Sequence, residues 1–332
     1  MAARRPARGR PGASRSGGGR PSSGQPKGAA GRGRRTGSAS SGAPRSRGAG
    51  RTGAVKPSSS SDRGDKRGRA TALGSARDKK SDERDDLGGT QIEGRQAVRE
   101  LLIAGKRRVH EVWIANERDT SDVVEDIVQL ARANRVPVVE VSRKKLDFAA
   151  RSEAPQGVLA RADALMPVNF DVLVKRRPGR APFLVAVDGV TDPGNLGAIL
   201  RCCDGAGVDG VVLPRHRSVH VTPTTAKASV GACEHVPMAL VGGLPTALTK
   251  MRELGIWVVG LDDASDKSLF ELGDLATEGI CLVLGAEGAG LSRLVRERCD
   301  VIVSIPMRGR LSSLNVSTAA ALATYEVARH RR

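Results

Sequence analysis

Three short apolar runs in the second half of the chain each end in a polar, glycine-rich loop, and this repeated pattern constrains the fold more than any other feature. In open α/β sheets, ligands bind beyond the carboxyl ends of the parallel strands. We therefore expect the three loops to form one shared site. In chain order, the runs and their loops are 183–187 with 188–195, 280–284 with 285–290, and 301–305 with 307–315.

Further apolar runs alternate with helical patterns through the same region. Short apolar strands separated by helices are typical of a parallel sheet covered on both faces. The chain then ends in an amphipathic helix predicted over 315–330. The strands predicted for this sheet are 183–187, 210–213, 236–240, 256–260, 280–284 and 301–305.

Residues 89–166 predict a second, smaller α/β domain. Periodicity indicates strands at 111–115, 136–141 and 157–162, and helices at 121–134 and 143–150. Residues 167–182 contain a basic Pro-Gly segment and predict a linker. The catalytic domain is then expected over 183–332.

Residues 1–88 are predicted to be a disordered basic tail. Residues 1–86 hold 22 Lys and Arg against 7 Asp and Glu, and no aromatic residue precedes Trp113. Such a segment cannot bury enough apolar surface to offset its chain entropy. Its charge favours a polyanionic partner, and RNA, DNA and an anionic membrane all fit. A solubilising extension and an organellar transit peptide remain open alternatives.

Several classes of protein fit this sequence poorly. No apolar run reaches the 18 or so residues that span a bilayer, and no secretory signal follows Met1, so we expect a soluble cytoplasmic protein with no membrane partner. His216 and His220 lack a third ligand at suitable spacing, so we expect no metal. The five cysteines form no C-x-x-C pair and are expected to be reduced thiols.

A dinucleotide site is the first alternative for a parallel sheet with glycine-rich turns. Gly288-x-Gly290 is followed by Arg293 where the third glycine of G-x-G-x-x-G is required. The spacing therefore argues against a nicotinamide-dependent dehydrogenase.

The three loops together resemble a known family. Residues 184–330 are similar to the SpoU-TrmH class of SPOUT RNA ribose 2′-O-methyltransferases, most of all to the bacterial enzymes that act on guanosine of large-subunit ribosomal RNA. The motifs lie at Asp188 to Arg201, Leu284 to Gly288, and Ser304 to Ser317. Residues 92–162 resemble the small ribosomal-protein L30e-like substrate domain that precedes the catalytic domain in those enzymes.

The resemblance implies an architecture and a methyl donor. It implies a parallel sheet with a trefoil knot, a homodimer whose active site draws on both subunits, and S-adenosyl-L-methionine as cofactor. The cofactor contacts of the family fall on Gly285, Ile305 and Leu314 of this sequence. A knot is rare among folds, and periodicity alone does not suggest one.

Five polar residues at the motif positions are catalytic candidates. Arg201 lies about two turns into the helix expected to begin near Asn195, and we assign it to RNA phosphate and the developing alkoxide, because an arginine is effectively never deprotonated. Asn195 is expected to cap that helix and to hold Arg201 or the ribose in place. Glu287 is expected to order Asn195, while Ser313 and Asn315 either cap the last helix or belong to the site. The full set is Asn195, Arg201, Glu287, Ser313 and Asn315.

The sequence thus predicts 2′-O-methylation of a ribose, in a guanosine of 23S ribosomal RNA. A transfer-RNA substrate is the alternative within the same class. A catalytically silent RNA-binding factor for ribosome assembly is the alternative outside it.

Overall fold

The computed structural model describes residues 86–116, 121–175, 178–216 and 218–331. Almost all of the predicted tail, 1–88, lies outside these residues. At its end, Leu87 is buried, its N–H donates to the Leu165 carbonyl, and its own carbonyl accepts from the N–H of Val221. The packed structure therefore begins no later than Leu87.

The first half of the described chain forms a four-stranded sheet with three helices. The strand order is β1-β4-β2-β3, with β2 and β3 parallel and the other pairs antiparallel. The predicted strands and helices are all present, and sequence reasoning missed β1 and α1. The elements are β1 (Gln91–Glu93), α1 (Arg95–Ala104), β2 (Val109–Ala115), α2 (Asp122–Ala133), β3 (Val138–Val141), α3 (Arg143–Ala149) and β4 (Val158–Ala162).

The second half forms the six-stranded sheet that the apolar runs predicted, and all its strand pairs are parallel. The predicted linker contains a short helix, α4 (Phe170–Leu173). The remaining elements are β5 (Phe183–Val187), α5 (Pro193–Gly205), β6 (Gly210–Pro214), α6 (Pro223–Ala228), β7 (Met238–Val241), α7 (Leu244–Glu253), β8 (Trp257–Leu261), β9 (Ile280–Leu284), α8 (Arg293–Arg296), β10 (Val301–Val303) and α9 (Val316–His330).

The six strands lie in the order β10-β8-β9-β5-β6-β7, which places β5 beside β9 at the centre. Alternate side chains of each strand enter separate cores. Val185 packs into a core with α5 and α9, while its neighbours Leu184 and Ala186 pack into a core with α7. Every residue of β5 and β9 is buried, as expected for strands covered on both faces.

Proline and short polar residues fix where the helices near the loops begin. Pro193 occupies the first turn of α5, where its missing N–H costs nothing, and the Asp192 carboxylate accepts from the backbone N–H of Asn195 at 2.7 Å. Asn315 caps α9, accepting from the N–H of Ser317 at 2.8 Å. Both helices thus begin at the edge of the sheet where the loops lie.

A buried ion pair joins the two halves. The Arg107 guanidinium donates to both carboxylate oxygens of Glu234, at 3.0 and 2.5 Å, and the two side chains are 5% and 1% exposed. Arg107 also donates to the carbonyls of Gly89 and Asp163. An arginine with this many partners compensates the cost of burying its charge.

Among the described residues, no helix is both long and apolar enough to cross a membrane. Nor does this part of the chain contain a group of three or more His, Cys, Asp or Glu placed to hold a metal ion.

Candidate active site

The three loops meet at one edge of the six-stranded sheet. The backbone N–H of Asp188 donates to the carbonyl of Leu284, the last residue of β9. The Asp188 carboxylate accepts from the N–H of Ser292 at 2.7 Å. These two bonds tie the first loop to the chain around the second loop, as the carboxyl-edge rule predicts.

An open cleft of about 810 Å³ lies between the second and third loops. The three residues predicted to contact a cofactor, Gly285, Ile305 and Leu314, all line it. Side chains at the strand ends, among them Leu284 and Val303, give the cleft an apolar part. The three residues that the resemblance assigned to the cofactor therefore lie at one concave surface.

Gly285 permits the second loop to fold back closely on itself. The backbone groups of Ala286 and Gly290 exchange two hydrogen bonds, at 3.0 and 2.9 Å. A side chain at position 285 would overlap the backbone carbonyl of Gly290. The loop can keep this shape only with glycine at that position.

Asn315 is the centre of the polar network at the rim of the cleft. Its Nδ2 group donates to Asn195 Oδ1 at 3.0 Å and to Glu287 Oε1 at 2.6 Å. Its Oδ1 accepts from the N–H and the hydroxyl of Ser317 at 2.8 and 2.6 Å. One amide therefore caps α9 and links a residue from each of the other two loops.

Asn195 does not have one of its two expected roles, because its side chain does not cap α5. Asp192 supplies that cap, so the Asn195 side chain faces Asn315 instead. Its Oδ1 is engaged as an acceptor, which fixes the amide with its Nδ2 donor group on the opposite side. Asn195 is thereby oriented as a hydrogen-bond donor beside the cleft.

The other two catalytic candidates, Ser313 and Arg201, differ in their position relative to the cleft. Ser313 is exposed and lines the cleft. Arg201 is exposed on α5, two turns beyond its first residue, and is not among the described residues that line the cleft. Four of the five candidates are thus at the cleft or bonded to its rim, and Arg201 stands apart in the single chain.

Sequence reasoning missed the charged residues that follow β8. Asp262 and Asp263 line the cleft together with Glu287, and Arg296 is the one lining cation among the described residues. Arg296 pairs with Asp262 at 2.5 Å. The sequence did contain a signal for them, because Asp262 comes directly after β8, whose carboxyl end lies at the same edge of the sheet as the three loops. The lining therefore carries three carboxylates against one guanidinium in a protein of net charge +18.

All five cysteines are free thiols in the structure. Burial raises the pKa of Cys233 and of Cys299 to about 12. Burial also raises the pKa of Cys202, the neighbour of Arg201, although the arginine partly opposes the shift. Near neutral pH these thiols stay protonated and are poor nucleophiles.

Two family matches divide the chain as the two sheets do. Residues 182–325 match the SpoU rRNA Methylase family, and residues 91–168 match the family described as RNA 2′-O ribose methyltransferase substrate binding. The TrmH family protein YacO of Bacillus subtilis, named for both tRNA and rRNA, is 40% identical over 240 residues, which cover 72% of this chain and 94% of YacO.

The chain belongs to the SpoU-TrmH family of RNA ribose 2′-O-methyltransferases. A second family member, the 23S rRNA (guanosine-2′-O-)-methyltransferase RlmB of Shewanella oneidensis, is 40% identical over 244 residues, covering 73% of this chain and 97% of RlmB.

A solved structure of the family agrees with this fold. The SpoU methyltransferase AviRb of Streptomyces viridochromogenes, crystallised in complex with the cofactor AdoMet, is 28% identical and superimposes with a TM-score of 0.60. The match covers 73% of this chain and 89% of AviRb. The SpoU-TrmH motifs recognised in the sequence therefore contain the three loops that meet at this edge of the sheet.

Proposed function

We propose that this chain methylates the ribose 2′-hydroxyl of a guanosine in 23S ribosomal RNA. The observation that carries the proposal is the Asn195–Asn315–Glu287 network at the rim of a cleft lined by Gly285, Ile305 and Leu314. The choice of guanosine and 23S rRNA is supported by the RlmB relative from Shewanella oneidensis. We also propose that the protein acts in the cytoplasm, where this substrate would be.

The methyl donor is S-adenosyl-L-methionine, and the cleft suits it. A volume of about 810 Å³ falls in the range of small-molecule sites. The donor carries a sulfonium cation, and the lining has two more carboxylates than guanidinium groups. Gly285, Ile305 and Leu314 would hold the donor, which supplies an electrophilic methyl group when bound.

The polar residues then position the nucleophile. Methyl transfer requires the ribose oxygen to approach in line with the methyl group, so orientation of the ribose lowers the barrier. Asn195, oriented through Asn315 and Glu287, donates to the ribose or to the adjacent phosphate. Ser313 on the third loop provides a hydroxyl at the same surface. Arg201 binds RNA phosphate and stabilises the developing alkoxide as a permanent cation.

A homodimer explains why Arg201 lies outside the lining of the cleft. We propose that Arg201 acts together with the cleft of a second subunit, as the SPOUT resemblance implies. On α9, Leu322 and Tyr325 are 38% and 53% exposed, which leaves apolar surface for pairing. Family membership likewise supports a trefoil knot in the catalytic domain and an L30e-like substrate domain. We propose domain limits at 89–166 and 183–332, with residues 167–182 between them and a basic tail at 1–88.

Transfer RNA is the second candidate substrate, because the YacO relative is named for both classes of RNA. A purely structural RNA-binding factor is a weaker candidate, since such a protein has no use for a cleft flanked by an ordered Asn-Asn-Glu network. The test is transfer of a labelled methyl group from S-adenosyl-L-methionine to purified unmodified 23S rRNA and tRNA. Label in 23S guanosine supports the proposal, label in tRNA selects the second candidate, and no label in either supports the third.

A further inference from the structure

One aromatic side chain of the smaller domain points fully into solvent. Phe148 on α3 is 94% exposed, although the whole chain has only seven Phe, Trp and Tyr residues. On the same helix Leu146 is fully buried and anchors α3 to its sheet. Helical geometry places Phe148 about 200° away from Leu146, on the outer face. Core packing therefore does not account for this aromatic.

The surroundings of Phe148 are strongly basic. Residues 143–151 hold four Arg and Lys against one carboxylate, Asp147, which pairs with Arg143 at 3.3 Å. Lys144 and Arg151 are exposed on either side of the aromatic in sequence. By contrast, helix α2 carries three carboxylates against one cation, Arg132. The segment that carries the exposed ring is thus one of the basic parts of this domain.

The same basic surface contains a second aromatic. The Lys145 ammonium and the Arg161 guanidinium lie 5.1 and 4.7 Å from the centre of the Trp113 ring. Cation–π contacts of this kind hold long basic side chains in place. The cations on this side of the domain are therefore partly pre-organised.

Buried polar groups fix the end of α3 and the loop that follows it. The Gln91 amide donates to the carbonyl of Ala149 at 2.9 Å. The Glu93 carboxylate is fully buried and accepts from the N–H groups of Arg151 and Ser152 at 2.7 and 3.0 Å. A buried carboxylate is costly unless it is well bonded. These bonds hold the residues next to Phe148 in one arrangement.

The loop after α3 also contacts the catalytic half. The Lys227 ammonium on α6 donates to the Glu153 carbonyl. Helix α6 packs closely on α5, since a Cβ added at Gly197 would lie 2.6 Å from Ala228 Cβ. Gly197 is two residues from Asn195. Direct contacts therefore connect the Phe148 surface to the helix that carries the site.

We propose that α3 and residues 150–152 form a single-stranded RNA contact surface, in which Phe148 stacks on an unpaired base and Lys144 and Arg151 bind the flanking phosphates. An exposed aromatic ring between cations is the combination that single-stranded nucleic acid uses. This inference rests on the proposed function, because it names where the RNA substrate is held outside the cleft.

Binding of oligouridylate by the full chain tests the stacking contact. It is measured at raised salt, where phosphate contacts of the basic tail are weakened and stacking persists. Phe148→Ala should weaken binding by roughly 5- to 150-fold, and Phe148→Trp should retain it. Phe270→Ala, at a 49% exposed aromatic in an acidic segment, is the matched control and should bind as the parent does. Parental affinity of Phe148→Ala would overturn the proposal.

The salt dependence separates stacking from phosphate binding. Lys144→Ala should lower the slope of log affinity against log salt by about 0.7 for single-stranded RNA, whereas Phe148→Ala should leave the slope unchanged. Arg132→Ala on α2 is the charge-matched control and should leave both affinity and slope unchanged. Equal losses for Lys144→Ala and Arg132→Ala would contradict a localised surface.

Two further readouts distinguish this inference from the proposed function. If the parent transfers methyl groups but Phe148→Ala has unchanged affinity and KM, the inference fails and the function stands. If the parent binds oligouridylate through Phe148 but methylates no RNA, the function fails and the surface stands. If Phe148→Ala changes only the oligomeric state in light scattering, the ring is a protein contact and the inference is overturned.

Discussion

At the scale of single residues, the account depends most on Asn315, which serves both a helix and a site. Asn and Asp cap helices about equally well, because either oxygen can accept from the N–H of Ser317. Only Asn can also donate to Asn195 and Glu287. Replacing it by Asp therefore separates the two roles.

Asn315→Asp should keep the free energy of unfolding within about 1 kcal/mol of the parent, because Asp also caps α9. It should remove most methyl transfer, since the new carboxylate repels Glu287 and cannot donate to Asn195. Asn315→Ala should lose both activity and roughly 1 kcal/mol of stability. Calorimetric melting and labelled methyl transfer are the measurements. An active Asn315→Asp variant would show that the network has no role in the reaction.

Arg201→Ala should abolish methyl transfer while leaving donor binding nearly intact, because the guanidinium is assigned to RNA and lies outside the lining of the cleft. Isothermal calorimetry with S-adenosyl-L-methionine measures the donor, and labelled transfer measures the reaction. Turnover equal to that of the parent would remove Arg201 from the mechanism.

Gly285→Ala should weaken donor binding strongly, because its Cβ would overlap the Gly290 backbone and distort the second loop. Gly242→Ala is the control, since a Cβ there meets no atom within 4 Å. Calorimetry compares the two variants. Equal donor affinity in both would mean that the loop does not shape the donor site.

At the scale of elements, the sequence predicted the six-stranded sheet well because its strands are buried on both faces. β5 and β9 begin and end at the predicted residues, 183–187 and 280–284. The last strand is shorter than predicted, ending at Val303, because Ser304 pairs only through an isolated bridge with Ser268. Continuous apolar runs bounded by proline, glycine or a polar residue leave little choice of structure.

Two short elements, β1 and α4, were not predicted because their sequence patterns are weak. β1 has three residues and is followed by Gly94, whose φ of 95° is positive, so no strand periodicity develops. Helix α4 has four residues and sits in a segment rich in linker signals. At the site, loop position could be predicted, but the bonds among Asn195, Glu287 and Asn315 depend on side-chain orientation that spacing alone does not fix.

The ion pair between the two halves allows a prediction about stability. Arg107→Met should destabilise the protein by about 3–5 kcal/mol, because it leaves the Glu234 carboxylate buried without its partner. Adding Glu234→Gln should restore part of the loss. Denaturant unfolding of the single and double variants measures the coupling, and a neutral Arg107→Met would mean that solvent reaches Glu234.

At the scale of the whole molecule, deletion of residues 1–85 should leave a folded, active core, because the packed structure begins by Leu87. If about five basic residues of the tail contact phosphate together, its loss should lower the slope of log RNA affinity against log salt by roughly 3 to 4. The modified nucleotide should stay the same. Superimposable salt titrations would assign the tail no role in RNA binding.

Each active site should need two chains. A mixture of Arg201→Ala and Gly285→Ala subunits should recover part of the activity that each lacks alone, since one composite site regains both intact residues. Light scattering of the parent should give a dimer. A fully active monomer would contradict both the composite site and our explanation for the position of Arg201.

The central claim is tested most directly by mapping the methylated nucleotide. Purified parent and Asn315→Asp protein are incubated with labelled S-adenosyl-L-methionine and unmodified 23S rRNA, and the product is digested to nucleosides. We predict label in 2′-O-methylguanosine with the parent and almost none with the variant. Label on a base rather than a ribose, or equal label with both proteins, would contradict the account.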